Sequence, residues 1–463
     1  MIKKSIAPGF QPGVNKHKSP TPAMRFPKNH RPLCFLLLTL LATSCNQQTP
    51  KTTPTFVLTA GEKFHFNSFV DCNMAEAWVG DTFRIFPGKY GEDPVWGYSN
   101  ELEFADGRNA DEAFLRKTAD FTDPVMPPNV PPGTEGLHGA VWFETVYQAP
   151  ADKSGKTLFA VYHNENYPAT LPYNAKTGIG YQNSALWPQG LTGPKSPAAV
   201  CRIGIMKSVD GGRSWKNNGI FIEDLMPRMI LKPHNTSNTF AGGVGDPSAV
   251  VSGDYLYLFY GEYGYPAVYE GANYDPKKEQ SGQCISIARI KLTDLDAPVG
   301  KAKRWDGNTF GAAPDGIGSP IASLQIPAQT GGGAASSPGG GFHWGPSVSW
   351  NTHVNQWVML MGHVTGSSWK GSQIYVSFNP NADLGESNNA QQWTKPKLLL
   401  DKPGHTVWYP SLQPMNTPED IREKRTCLRL GQTARLFYKD MYKTSAGKDT
   451  SEYVSEYNIQ FDN

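Results

Sequence analysis

The sequence has little of what builds membrane spans, long helices or disulfide scaffolds. Its one membrane-like run, residues 33–42 (LCFLLLTLLA), is about ten residues long, half of what a bilayer-crossing helix needs. Charge of neither sign dominates: 43 Lys plus Arg stand against 41 Asp plus Glu, a formal net charge of +2, which excludes a strongly basic nucleic-acid binder. Even that excess is local. Residues 1–44 carry seven basic side chains and no acidic one, leaving the remainder with 36 basic against 41 acidic residues, net −5. The 463 residues include only six cysteines, and their spacings match no metal knuckle. No Gly-x-Ser-x-Gly elbow, His-Glu-x-x-His, Cys-x-x-Cys pair or dinucleotide fingerprint occurs, so the motif-bearing hydrolase, zinc-peptidase, redox and nucleotide chemistries are set aside. The Gly-rich segment 330–341 is no phosphate cradle, because no Lys-Ser/Thr follows it.

What is present is 47 Gly, 38 Pro and 12% aromatic residues, the make-up of a turn-rich, all-β globular protein. At the N-terminus, Arg25, Lys28 and Arg31 precede the apolar run, the order of a secretory signal. Met24 stands just before them and is expected to be the initiating residue. The run ends in Ala42-Thr43-Ser44-Cys45, which resembles a bacterial lipobox with Ala42 where Leu or Val is more usual; a plain secretory signal is the alternative. The resemblance implies acylation of Cys45 and export, to the periplasm or cell surface on an outer-membrane lipid anchor of a Gram-negative bacterium. Residues 1–45 are thus read as extension, signal and lipobox, 46–62 as a polar, Pro/Thr-rich tether, and 63–463 as one domain. Cys72, Cys201, Cys284 and Cys427 remain, enough for one or two disulfides in an oxidising compartment.

Three segments repeat a pattern: Gly245-Asp246-Pro247-Ser248, Trp344-Gly345-Pro346-Ser347 and Trp408-Tyr409-Pro410-Ser411. Each leads into a short strand, then a second ending in aromatics (255–260, 357–361, 434–438) and a third (285–290, 374–378, 453–459), with Trp305 or Trp393 following in two cases. Weaker matches make a module of 141–147, 157–162 and 202–207 with Trp215, and a first of 70–73, 82–86 and 96–104. Five four-stranded antiparallel modules predict a five-bladed β-propeller, with six or seven blades the alternative, closed by a strand from 64–70. Ser208-Val209-Asp210-Gly211-Gly212-Arg213-Ser214-Trp215 resembles the Asp-box of sialidases and other propellers, in which Asp210 would cap a turn. Asp210 is read as structural.

Inner strands of a propeller converge on a central funnel, so polar residues at their starts can meet. Those residues are Asp71, His138, Asp246, His343 and Tyr409, and such a set is costly to desolvate without a ligand or mutual hydrogen bonds. Trp142, Trp187, Trp344, Trp350, Trp369 and Trp408 lie near inner strands or top loops, where flat rings stack on sugars. The segments 167–199 and 266–283, with 330–341, are read as a pocket rim.

On these residues the chain resembles the five-bladed propeller glycoside hydrolases of families 43, 32 and 117. The resemblance implies hydrolysis of a poly- or oligosaccharide, with Asp71 as base and Asp246 as modulator of the acid. The fourth blade has His343-Trp344 where the commoner pattern has a Glu, as in family 117, whose acid is a His. His343 would serve if a carboxylate held its pKa near the working pH; Glu165 is the other candidate acid, and Glu262 the equivalent residue of the third blade. His138, His163, Trp344, Trp408, Tyr409 and Glu262 are assigned to substrate binding. Inversion is the implied outcome. No cofactor is required; a structural calcium ion on a funnel His or Asp is the one cation the resemblance allows.

The structural alternatives are a turn cap for Asp246, an ion pair with Arg84 for Asp71, core histidines for His138 and His343, and a solvated loop residue for Glu165. Two other functions compete: a glycan-binding propeller without catalysis, and a polysaccharide lyase using His343 and Tyr409.

Overall fold

Short runs of β-branched and aromatic residues, punctuated by Gly, Pro and Asn, form strands rather than helices. The computed structural model describes residues 52–66, 70–89, 101–128, 137, 139–166, 200–223, 243–263, 284–316, 318–326, 341–365, 369–386 and 388–462. Strand β1 (Thr55–Phe66) comes first in the chain but belongs to the last sheet. The first blade is β2 (Ala75–Val79), β3 (Thr82–Phe86) and β4 (Ala105–Gly107). The second is β5 (Ala140–Gln148), β6 (Leu158–Asn166), β7 (Val200–Ser208) and β8 (Lys216–Ile222). The third is β9 (Val244–Ser252), β10 (Tyr255–Glu262), β11 (Cys284–Lys291) and β12 (Lys303–Arg304).

The fourth blade is β13 (Phe342–Asn351), β14 (Gln356–Thr365), β15 (Lys370–Asn379) and β16 (Lys397–Asp401). The fifth starts with β17 (Thr406–Pro414); the chain then adds β18 (Arg429–Leu430) in parallel beside β13 before returning as β19 (Thr433–Lys443) and β20 (Asp449–Asp462). The protein is a five-bladed β-propeller, as its repeats predict.

Ring closure differs from the expectation in extent. β1 pairs antiparallel with β20 from Thr55 opposite Asp462 to Phe66 opposite Tyr453, so residues 55–62, read as tether, are strand. The reason is that β1 is an edge strand with one buried face. Phe56 and Leu58 pack on the core between the fourth and fifth blades while their neighbours are exposed, and the alternation reads as polar on average. In the first blade the inner strand begins at Ala75, just past the Val70–Asn73 stretch.

The Pro-Ser repeat has a structural cause. β9, β13 and β17 each slip register where the motif lies, leaving Asp246-Pro247, Gly345-Pro346 and Tyr409-Pro410 bulged from the pairing. Pro suits such a position because it has no N–H for the ladder. The following hydroxyl joins blades: Ser248 Oγ accepts the Val348 N–H at 2.9 Å. In the second blade Thr145 takes the Ser role, its Oγ1 accepting the Ala249 N–H at 3.1 Å, and the bulged residue before it is Glu144.

Between β7 and β8, Asp210 accepts hydrogen bonds from the Arg213 and Ser214 N–H groups at 3.0 and 2.9 Å and from the Ser214 hydroxyl at 2.6 Å. Trp215 then packs edge-on against Phe86 and Phe143. The four cysteines among the described residues are free thiols, Cys72, Cys201 and Cys284 buried.

Candidate functional site

Four of the five blades carry such a bulge in the inner strand, at Glu144, Asp246, Gly345 and Tyr409. Gly345 has φ 56°, and Asp246 and Tyr409 adopt the same left-handed backbone at 45° and 48°. Glycine does this freely, whereas a residue with a side chain is strained by about 1–3 kcal/mol, a pattern that concentrates at functional sites. Both residues are buried.

Glu144, His163 and Asp246 form a buried cluster, with one potential ligand atom from each lying within 4.8 Å of the others. His163 Nδ1 is 3.7 Å from Glu144 Oε1 and 3.5 Å from Asp246 Oδ1. The outer oxygens are held separately: Asn73 N–H donates to Glu144 Oε2 at 2.8 Å, and the Tyr263 hydroxyl donates to Asp246 Oδ2. Burial pushes the Glu144 carboxyl up to about 8; His163 opposes the rise and Asp246 adds to it. Burial alone would depress His163, but Cys201, Asp246 and Glu144 around it hold the imidazole well above its ordinary value.

Asp71 is the accessible acid. Its Oδ1 is 2.6 Å from Lys439 Nζ, and its side chain is 30% exposed where that of Lys439 is 7%. Lys439 stands opposite Trp408 in the β17–β19 pairing and lies 5.4 Å from its ring. Trp408 donates its indole N–H to the Trp369 carbonyl at 2.7 Å. Trp344 packs edge-on against Tyr409, Trp369 and Trp408 with centroids 5.2, 4.8 and 5.7 Å apart. Burial raises the Tyr409 phenol well above its ordinary value, and Asp246, Asp71 and Glu144 push it further.

Other expected residues fall elsewhere. His343 follows strand alternation to the face of β13 opposite Trp344. Its Nδ1 is 2.9 Å from the Leu324 carbonyl and its ring packs on Tyr375 and His363. Burial lowers it to about 4, with His363 adding to the fall; among the described residues, the carboxylate that an acid role required is not one of its contacts. Glu262 is corrected from sugar binding to structure, for it is buried against the Arg304 guanidinium and accepts the Gly318 N–H at 3.1 Å. Arg84 pairs with Asp106 at 2.6 Å rather than with Asp71.

Glu165 lies within β6, half-buried, two residues beyond His163 on the same strand face. His138, Cys45 and Trp187 lie outside the described residues, as do nearly all of the three segments read as a rim.

Sequence reasoning missed Glu144, Lys439 and Tyr263. Glu144 was signalled by a lone acid inside the apolar run Val141-Trp142-Phe143-Glu144-Thr145, at the place of the residue before Pro-Ser. Tyr263, one residue past β10, and Lys439 carry no such signal.

No family model matches the chain, and no curated protein matches it. Several solved structures are similar in fold at low identity. An α-L-arabinofuranosidase from Lactobacillus brevis is 11% identical over 84% of this chain and 90% of its own, with a TM-score of 0.45. An α-L-arabinofuranosidase from Podospora anserina, in complex with cellotriose, is 9% identical over 87% and 98%, with a TM-score of 0.42. An arabinanase from Bacillus subtilis is 10% identical over 86% and 96%, with a TM-score of 0.37. These neighbours are propeller glycosidases.

Proposed function

We propose that the chain is a glycoside hydrolase that cleaves a poly- or oligosaccharide in the propeller's funnel. The observation that carries this reading is the accessible Asp71 carboxylate, set by Lys439 beside Trp408. Glycoside hydrolysis needs one group to activate water or attack the anomeric carbon and another to protonate the leaving oxygen.

Asp71 takes the first role as general base. Glu165, half-buried and on the His163 face of β6, takes the second. Asp246 sets the charge of the funnel floor, and the half-buried Trp408 supplies a flat apolar face of the kind that packs against sugar rings, with the buried Trp344 packed behind it. With an acylated Cys45, the propeller would work at a membrane surface on exported glycans.

The test is incubation of the chain with plant, algal and host polysaccharides, following released reducing ends and the ultraviolet absorbance of unsaturated products. Reducing ends without that absorbance are expected. Absorbing products would replace the reading by a lyase, and glycan binding without cleavage would replace it by a non-catalytic module.

A further inference from the structure

The buried cluster of the second and third blades is built as a ligand set. Each of its carboxylates has one oxygen committed to a protein donor: Glu144 Oε2 to the Asn73 N–H at 2.8 Å, and Asp246 Oδ2 to the Tyr263 hydroxyl. The other two oxygens, Glu144 Oε1 and Asp246 Oδ1, are shielded from solvent and accept no hydrogen bond among the described residues. Both lie beside the same imidazole nitrogen, at 3.7 and 3.5 Å. Those separations are too long for hydrogen bonds, which weaken beyond about 3.2 Å. They suit ligands of a common ion, since donors ~2.1 Å from a tetrahedral centre stand ~3.4 Å apart. Outer donors that orient the ligands while the inner atoms converge are the usual second layer of a metal centre. Asp246 keeps a left-handed backbone, φ 45°, and two acids buried beside one imidazole require positive charge between them, which the ion supplies in place of the imidazole proton.

We propose that Glu144, His163 and Asp246 bind one divalent transition-metal ion of the zinc class, each through a single atom, with a fourth position left to water or ligand. Calcium fits this set poorly, because it takes about six to eight oxygens, whereas the cluster offers one nitrogen and two single oxygens. The proposal does not depend on the hydrolase reading.

The test uses the full chain, stripped with a chelator and titrated with zinc chloride, followed by calorimetry and by the thermal midpoint; cobalt is used as a visible-absorbing substitute. The expected result is one equivalent bound, a raised midpoint and a tetrahedral cobalt spectrum. Tyr263→Phe, which keeps the ring and removes the hydroxyl from Asp246, should weaken binding by about 10–100-fold. His163→Asn should abolish the cobalt spectrum, and if that variant fails to fold, Tyr263→Phe decides the matter. Asp71→Asn should bind zinc as the parent does, which separates loss of hydrolysis from loss of metal. No saturable zinc binding, a site that takes calcium in its place, or unchanged affinity in Tyr263→Phe would overturn the proposal.

Discussion

Asp71 and Lys439 meet at 2.6 Å although 368 residues separate them in the chain. One precedes the inner strand of the first blade and the other lies on the second strand of the fifth, so the pair spans the seam at which β1 closes the ring. The ammonium orients the carboxylate without covering it, because Asp71 stays partly exposed while Lys439 is buried. Asp71→Asn should lower kcat on a hydrolysed glycan by about 10²–10⁴-fold, the range for losing a general base, with an unchanged circular dichroism spectrum. Lys439→Met should lower kcat less and displace the pH profile. A fully active Asp71→Asn enzyme would remove Asp71 from the mechanism.

A general acid matters most when the leaving group is poor. Glu165→Gln should therefore slow natural glycosides by about 10²-fold or more while sparing aryl glycosides with activated leaving groups. Equal slowing of both substrates would rule out proton donation from Glu165.

The blade-to-blade hydroxyls make a stability prediction that leaves the chemistry untouched. Ser248→Ala strips the Val348 N–H of its acceptor inside the protein, and a buried donor without a partner costs about 1–3 kcal/mol. Urea unfolding of the variant should show a loss of that size, and Thr145→Val a comparable one. A loss of a few tenths would mean that water reaches the Val348 N–H.

Arg304 and Glu262 are buried against each other, and the guanidinium also donates to the Tyr260 hydroxyl at 2.9 Å. Removing one member of a buried pair strands the other charge, at about 3–5 kcal/mol. Arg304→Met should unfold at markedly lower urea yet keep the parent KM at low temperature. A raised KM with intact stability would return Glu262 to sugar binding.

His343 yields a pH dependence with a definite sign. Its folded pKa of about 4 lies below the ordinary 6.5, so the unfolded chain binds the proton more readily. The stability from the neutral buried ring is complete above pH ~6.5 and is lost as pH falls toward 4, by roughly 3 kcal/mol. His343→Asn, whose amide can still donate to the Leu324 carbonyl, should unfold with a shallower pH dependence over that window. Parallel pH curves for parent and variant would show that His343 carries none of it.

Much of the fold was legible because its signals are local. The Pro-Ser bulges, the aromatic second strands and the turn around Asp210 each occupy a few consecutive residues. Strand β1 was misjudged in its first half, since an edge strand with one wet face has the average polarity of a tether. Asp71, Asp246 and Tyr409 could be named as candidates from the sequence because each stands at or just before an inner-strand motif. His343 met the same rule but packs on Tyr375 and His363, on the face of the strand opposite Trp344, because neighbouring residues of a strand point to opposite faces.

By itself the sequence determined an all-β ring of five modules and the candidate acids of its first and third blades, since strand period, turn chemistry and repetition need no partner to be read. Which groups stand beside those acids was decided by tertiary structure alone. Lys439 reaches Asp71 because closing the ring sets the fifth blade beside the first. Glu144 and Tyr263 reach His163 and Asp246 because antiparallel pairing within a blade and packing of the second blade on the third bring together positions that are distant in the chain. The electrostatics of a buried group depend on such neighbours, and no local pattern encodes them.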